Sequence, residues 1–195
     1  MRKAGESRMP RCMPANCGEV AQSVMGPFYC PADQKLYLDT SFFNQIVTRF
    51  RGCDKTCQSS QAYVIAHEVG HHVQNLIGIL KTVQQTQRTV DKATANRIQL
   101  QVELQADCLA GVWANLENEF LKSQNRPPII DASDAEAALR AVTAIGDDTP
   151  QQKAQVNPVP DSFTHGSAEQ RQRWFNTGLR SGSITSCNTF GASQL

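Results

Sequence analysis

Three of the four histidines in this chain lie within the stretch AHEVGHHVQ, residues 66–74. On a helix, positions i and i+4 share one face, so the imidazoles of His67 and His71 can hold one metal ion between them. Glu68 is rotated by about a quarter of a turn from His67, which keeps it from being a third ligand but within reach of a water beside the metal. The pattern H-E-x-x-H therefore predicts two zinc ligands, His67 and His71, and a general base, Glu68.

The alternative interpretation of these residues is a chance match on a buried helix. Histidine is so rare in this chain, at four in 195 residues, that a chance match is expected on the order of once in 100 chains. The apolar lead-in AYVIA also favours a metal-binding helix, because such a helix must be anchored in a core. His72 points away from the face shared by His67 and His71, and we interpret it as structural.

A catalytic zinc site needs a third protein ligand and one open position. Gln74 and Ile77 exclude a third histidine of the pattern H-E-x-x-H-x-x-G-x-x-H. The stretch ELQAD instead places Glu103 and Asp107 at i and i+4 of a second predicted helix, where a buried carboxylate pair requires positive charge against it. We predict Glu103 as the third ligand and Asp107 as hydrogen-bond partner of a ligand histidine. The alternative is an exposed polar stripe on a solvated helix.

The fourth histidine, His165, lies in the stretch DSFTHG just before a predicted helix N-cap. From there it can donate a hydrogen bond to the oxyanion that forms when water adds to a peptide carbonyl, and this is the catalytic role that we predict. Two alternatives stay open for His165: a loop histidine with a structural role, and a metal ligand in place of Glu103.

The elements that position these side chains follow from periodicity and from cap signals. Aromatic and β-favouring residues flank PADQ, which predicts a hairpin, and the H-E-x-x-H helix has a broad apolar face without proline. The last helix has a predicted capping box of Ser167 and Gln170 and a predicted stop at Gly178. The predicted elements are an irregular segment up to about residue 26, a hairpin at 28–40, helices at 41–50, 60–83, 97–121, 133–146 and 167–178, and a loop at 51–60.

Composition sets the outer limits of the interpretation. A chain of 195 residues with 40% apolar residues suits one domain with an ordinary core. Because 19 basic residues nearly balance 18 acidic ones, we expect no nucleic-acid partner. No apolar stretch is long enough to span a bilayer, and the N-terminus lacks the apolar region of a signal peptide.

Seven cysteines are many for a reduced compartment, and none is spaced as C-x-x-C. We favour disulfides in an oxidising compartment over a set of inert buried thiols. Our hypothesis pairs Cys17 with Cys30, Cys53 with Cys57 and Cys108 with Cys187, and leaves Cys12 free. The bridge between Cys108 and Cys187 would hold the predicted last helix against the metal-site helix.

Four stretches resemble one protein family: GPFYCPADQKLYLDTSFF, QAYVIAHEVGHHVQ, ELQADCLAGVWA and DSFTHGSAEQRQRWF. They are similar to the bacterial proteins known as putative neutral zinc metallopeptidases, over residues 17–190. The ExxAD and THG elements also resemble those of integral-membrane CAAX-prenyl-protease-like peptidases, in which the glutamate is the third ligand. The resemblance implies a zincin-like fold in which His67, His71 and Glu103 bind zinc and Glu68 is the base.

The same resemblance implies how a substrate is held and where the protein acts. Zincins bind extended peptides by adding a strand to the edge of a small sheet above the metal, where backbone hydrogen bonds give affinity. Family members usually carry a transmembrane helix before this domain, which is absent from this chain. We therefore expect an extracytoplasmic domain that meets a membrane only through such an upstream anchor. The candidate substrate-edge residues are Leu36, Tyr37, Leu38 and Asp39.

The sequence thus predicts an α+β, mainly helical, zincin-like domain at 17–195, after an irregular segment at 1–16, with a small hairpin beside the metal-binding helix. We interpret it as a zinc-dependent endopeptidase with one zinc ion per chain, acting on peptide or protein substrates. Two alternatives stay open: an inactive, zinc-stabilised binding or scaffold protein, and a zinc amidase or esterase of small substrates. Glu68 argues against the scaffold, because a structural zinc site needs no base.

Overall fold

Helices dominate the structure, a computed structural model, and two short antiparallel ladders accompany them. The predicted α+β, mainly helical class is therefore confirmed. The structure describes residues 12–14, 20–22, 27–38, 42–44, 54–131, 134, 136 and 166–195. The helices are α1 (Asp54–Leu76), α2 (Ile79–Gln87), α3 (Lys92–Ser123) and α4 (Ala168–Ser181), followed by the 3-10 helices η1 (Ile184–Cys187) and η2 (Thr189–Gly191). The strands are β1 (Cys12–Pro14), β2 (Val20–Gln22), β3 (Phe28–Cys30) and β4 (Lys35–Tyr37).

The predicted hairpin is confirmed as β3 and β4, with PADQ as the turn between them. Phe28 pairs with Tyr37 in the register, and their rings stack with centroids 5.0 Å apart. Strands β1 and β2 also pair antiparallel, so the expectation of irregular backbone up to residue 26 is wrong for these two strands. The domain boundary between residues 16 and 17 stays a prediction.

The helix that carries the H-E-x-x-H pattern has different ends from those predicted. It begins at Asp54, inside the stretch that we expected to be a loop, and it ends at Leu76. Gly78 then adopts a φ of +83°, a conformation that glycine reaches without steric strain, and α2 starts at Ile79. A single helix over 60–83 is therefore wrong, because Gly78 divides it in two.

Helix α3 is the longest element and the centre of the fold. The Asp91 side chain caps it by accepting from the backbone N–H of Thr94, and the helix begins at Lys92, five residues before the predicted start at Arg97. The helix ends at Ser123, ahead of the proline pair, as predicted. Its middle, from residue 101 to 112, is buried throughout, because α1 and α4 both pack against it.

Helix α4 lies unusually close to α3, since two glycines face the contact. A Cβ on Gly178 would overlap the carbonyl oxygen of Cys108, and a Cβ on Gly111 would overlap that of Phe175. The capping box of Ser167 and Gln170 is confirmed. The predicted stop at Gly178 is wrong, because α4 continues to Ser181 and Gly182 follows as its C-cap. Gly178 serves helix packing rather than termination.

The described residues form two core clusters, one on each side of α3. Tyr63 and Phe175 are the largest members of the first, which joins α1, α3 and α4. Leu104 and Trp174 belong to the second, which also contains the confirmed disulfide between Cys108 and Cys187. This bridge spans a sequence separation of 79 residues. In the chain-entropy model, a loop of that size stabilises the fold by about 4 kcal/mol.

Several predictions lie partly or wholly outside the described residues. Cys30 is disulfide-bonded, but Cys17 and Cys53 are not described, so their two pairings stay predictions. Residues 42–44 are helical, as are 134 and 136, which is all that the structure describes of two predicted helices. Among the described residues, no helix combines the length and the apolar character needed to cross a membrane.

Candidate metal centre

The centre of the site is the pair of histidines on α1. His67 and His71 are one helical turn apart, and their rings lie edge to face with centroids 4.7 Å apart. His67 is buried and His71 is partly buried. Both rings face α3 at the level where that helix is fully buried, so the pair lies at the crossing of the two helices.

Helix α3 brings Glu103 to the same point. Its Oε2 lies 3.3 Å from Nε2 of His67 and 3.8 Å from Nε2 of His71. The candidate ligand atoms of the three residues all lie within 4.8 Å of one another. The other carboxylate oxygen of Glu103 accepts a hydrogen bond of 3.0 Å from Gln99. Two imidazoles and one carboxylate are the donor set of many catalytic zinc sites, so these residues fit a zinc ion chemically.

Behind His67 lies a buried ion pair with a neutral tyrosine hydroxyl beside it, a group that we call the charged side: Asp107, Arg171 and Tyr63. Nδ1 of His67 lies 2.8 Å from Oδ1 of Asp107. Arg171 donates to both oxygens of that carboxylate, from Nε at 2.9 Å and from Nη2 at 3.0 Å. The Tyr63 hydroxyl donates to Asp107 and accepts from Nη2 of Arg171 at 2.8 Å. Side chains from α1, α3 and α4 thus meet at one carboxylate.

The charged side controls the pKa values around it. Burial alone would raise the pKa of Asp107, but the Arg171 and His67 charges outweigh it and lower this pKa to about 2. Burial also disfavours the charged form of His67 and would lower its pKa, yet the carboxylates of Asp107 and Glu103 raise this pKa to about 10. A positive charge is therefore favoured at the position between these carboxylates, whether a proton or a metal ion supplies it.

Behind His71 lies a neutral group, which we call the amide side: Gln74, Gln105 and the main-chain carbonyl of Cys187. Nδ1 of His71 lies 2.9 Å from Oε1 of Gln74. Nε2 of Gln74 donates to the Val102 carbonyl at 2.8 Å and to Oε1 of Gln105 at 3.0 Å. Gln105 in turn donates to the Cys187 carbonyl at 2.9 Å. A continuous chain of hydrogen bonds thus joins His71 to the C-terminal segment.

Glu68 lies beside the hairpin and is 9% exposed. Burial raises the pKa of its carboxyl, while the nearby His67 and His71 and a backbone hydrogen bond from Tyr29 act in the opposite direction. The Tyr29 hydroxyl accepts from Asn75 at 2.9 Å and lies 2.9 Å from Nδ1 of His72. Tyr29 therefore holds strand β3 against α1 next to Glu68, and His72 contacts the hairpin rather than the other two histidines.

The structure brings five of the predicted site residues together: His67, Glu68, His71, Glu103 and Asp107. Of the candidate edge residues, Leu36 and Tyr37 belong to β4, and Leu38 follows the end of the strand with 43% exposure. Asp39 and His165 lie outside the described residues, so their roles stay predictions.

Sequence reasoning missed the residues that support the histidines from behind. The sequence pattern identifies Gln74 only as a position that lacks a third histidine, and it indicates no role for Arg171. The available signal was weak: Gln74 follows His71 by three positions on one helical face, which allows contact but does not require it. The contact of Arg171 with Asp107 joins residues far apart in the chain and has no local signature.

Comparison with known proteins links these motifs to one family. The family described as "Putative neutral zinc metallopeptidase" matches residues 9–190 of the chain. The uncharacterized protein YpfJ of Escherichia coli (strain K12) is 49% identical over 177 residues, which are 91% of this chain and 58% of that protein. The uncharacterized protein Rv2575 of Mycobacterium tuberculosis (strain H37Rv) is 42% identical over 182 residues, 92% of this chain and 59% of that protein. No solved structure matches the chain.

Proposed function

The chain belongs to the family described as putative neutral zinc metallopeptidases, and on this premise we propose that it is a zinc-dependent endopeptidase acting on peptide or protein substrates. The observation that carries the proposal is the convergence of His67, His71 and Glu103, whose ligand atoms lie within 4.8 Å of one another. The chain spans slightly less than three fifths of the length of these relatives, so the activity of a longer protein is part of the proposal.

One zinc ion per chain would be held by Nε2 of His67, Nε2 of His71 and Oε2 of Glu103. Three protein ligands leave a position open, as catalytic sites require and structural sites do not. When bound, the ion supplies a Lewis acid that polarises a carbonyl group and lowers the pKa of water. Asp107 and Gln74 hold the two rings so that each presents Nε2 to the centre.

Glu68 is the proposed general base. It directly follows a ligand on α1, yet its side chain is turned from the face shared by His67 and His71. Its carboxylate accepts a proton from the attacking water and delivers it to the leaving amine, a role that contributes typically 10²- to 10⁴-fold in rate. Burial raises its pKa and brings it closer to the pH at which a base of this kind works.

The hairpin and His165 complete the proposal. An extended substrate would pair with β4 through backbone hydrogen bonds, since β3 occupies its other edge. His165 would donate a hydrogen bond to the oxyanion. The disulfide between Cys108 and Cys187 suits an oxidising compartment, so we propose that the domain acts outside the cytoplasm.

The substitution Glu68→Gln tests the mechanism, because it keeps the size of the side chain and removes the base. We expect digestion of casein to fall by at least about 10²-fold, while zinc content measured by atomic absorption stays near one per chain. Near-normal digestion would contradict the mechanism, and loss of zinc would make Glu68 a ligand. A wild-type protein that binds zinc but cleaves neither casein nor a peptide library would favour a scaffold or an amidase instead.

A further inference from the structure

We propose that Gln74 and Gln105 are positioning residues that fix which nitrogen of the His71 ring carries the proton. Through them, the main-chain carbonyls of Val102 and Cys187 set which nitrogen of His71 faces the metal. The proposal rests on the zinc site proposed above. It concerns how His71 is held, and it does not depend on which bond the protein hydrolyses.

The orientation of the Gln74 amide follows from one backbone group. The amide atom 2.8 Å from the Val102 carbonyl must be the nitrogen, because a carbonyl oxygen only accepts hydrogen bonds. The oxygen of Gln74 then faces Nδ1 of His71 at 2.9 Å. Since an amide oxygen also only accepts, Nδ1 of His71 must carry the proton. The lone pair of the neutral ring is left on Nε2, which lies 3.8 Å from Oε2 of Glu103.

Gln105 strengthens this orientation from the other end. Its nitrogen must face the Cys187 carbonyl at 2.9 Å, again because that group only accepts. Its oxygen then accepts the second N–H of Gln74 at 3.0 Å. If Gln74 were flipped, its oxygen would face the Val102 carbonyl and the Gln105 oxygen together, and three acceptors would meet without a proton. The backbone carbonyls of Val102 and Cys187 therefore determine the direction of every hydrogen bond in the amide side.

The far end of the amide side is fixed in position. Cys187 is bonded to Cys108 on α3, and the following segment is held by Thr189, whose hydroxyl donates to the Gln101 carbonyl at 2.7 Å. Gln74 is fully buried, and Cys187 is 1% exposed. Water therefore has little access to compete for these hydrogen bonds, and an unsatisfied group here would carry its full desolvation penalty.

Two matched substitutions on α3 test the proposal. Gln105 and Gln101 are one turn apart, are both 8% exposed and both donate to carbonyls of the C-terminal segment, but of the two it is Gln105 that hydrogen-bonds to Gln74. We expect Gln105→Met to weaken zinc binding by about tenfold in competition with a chelator, as for other residues that orient a ligand. It should also change the visible spectrum of the cobalt(II)-substituted protein. Gln101→Met should leave both readouts unchanged.

Equal effects of the two substitutions, or no effect of either, would overturn the proposal. The wild-type protein offers a measurement that does not require a variant to fold: nitrogen-15 NMR of the zinc-loaded chain. We expect a proton on Nδ1 of His71 and the metal on Nε2, and the reverse arrangement would also overturn the proposal. A wild-type chain that binds zinc in this way but hydrolyses nothing would reject the peptidase activity and retain the role of Gln74 and Gln105.

Discussion

The two histidines of the candidate metal centre are held in the same orientation by two different kinds of chemistry. On the charged side, the carboxylate of Asp107 accepts from His67 and is itself held by Arg171. On the amide side, Gln74 accepts from His71, and its other contacts are neutral. Both partners of the rings only accept at these positions, so both rings present Nε2 to Glu103. Orientation therefore does not require charge.

The difference lies in what each side does besides orienting a ring. A carboxylate increases the basicity of its imidazole, and here Asp107, together with Glu103, raises the pKa of His67 to about 10. A neutral amide fixes the direction of a hydrogen bond with a much smaller electrostatic effect. The charged side also places full charges in the core, which is stable only while each charge keeps its partner. We therefore expect the two sides to respond very differently when one member is removed.

The largest effect should come from Asp107→Asn, which removes one charge of a buried pair and keeps the shape of the side chain. Arg171 would then lack its carboxylate, and breaking a buried pair in this way typically lowers the free energy of unfolding by about 3–5 kcal/mol. The corresponding change on the amide side, Gln74→Met, leaves neutral groups unsatisfied and should lower it by about 1–3 kcal/mol. Urea unfolding of the zinc-free proteins measures both losses. Equal losses would show that charge is not what distinguishes the two sides.

The part of the site that the sequence predicted is the part formed by local spacing. His67 and His71 are four residues apart on one helix, and so are Glu103 and Asp107, so helical geometry alone aligns each pair. Placing the two pairs against each other required one further argument, that a buried carboxylate pair needs positive charge. The resulting contact between His67 and Asp107 is present at 2.8 Å.

Two of the supporting residues that the sequence did not predict, Arg171 and Gln105, depend on the packing of α4 and η1. Arg171 reaches Asp107 because α4 lies very close to α3, and that approach depends on Gly111 and Gly178. The local rule for glycine near a helix end suggested a stop at Gly178, and packing overrode it. The predicted helix 60–83 is also wrong at Gly78, because the apolar pattern continues there although the left-handed conformation of Gly78 interrupts the helix.

The next largest difference between the two sides should be the dependence of stability on acidic pH, because the charged side contains a carboxylate and the amide side does not. The pKa of Asp107 is about 2 in the folded chain, against about 3.9 in an unfolded one. The ionised carboxylate therefore stabilises the fold above pH 4, and this contribution is lost as the pH falls from about 4 to about 2. We expect this group to account for about 2–3 kcal/mol of the acid-induced loss of stability.

Urea unfolding of the zinc-free protein at a series of pH values measures this contribution. Asp107→Asn should lack it, so its stability should fall less steeply over the same pH range. The amide-side variant Gln74→Met keeps Asp107 and should follow the pH profile of the wild type. If the profiles of the wild type and Asp107→Asn run parallel, the low pKa of Asp107 is wrong.

The smallest effect should come from removing a single hydroxyl on the charged side. In Tyr63→Phe, Asp107 loses one donor and Arg171 loses one acceptor, but the two direct bonds between them remain. The ring keeps its contact with Phe175, whose centroid is 5.6 Å away. We therefore expect the free energy of unfolding to fall by about 1–2 kcal/mol, with zinc affinity reduced less than in Asp107→Asn.

A second tyrosine provides the matched control for this last prediction. Tyr37 on the hairpin also donates to a carboxylate, that of Asp33 at 2.6 Å, but this bond is only partly buried. Water can reach it, so Tyr37→Phe should lower the free energy of unfolding by less than Tyr63→Phe does. The same chemical change is thus made at a buried and at a partly buried hydroxyl. If both variants are equally stable, the hydroxyl of Tyr63 adds nothing to the charged side; if Tyr63→Phe is as unstable as Asp107→Asn, Asp107 and Arg171 depend on Tyr63 to remain paired.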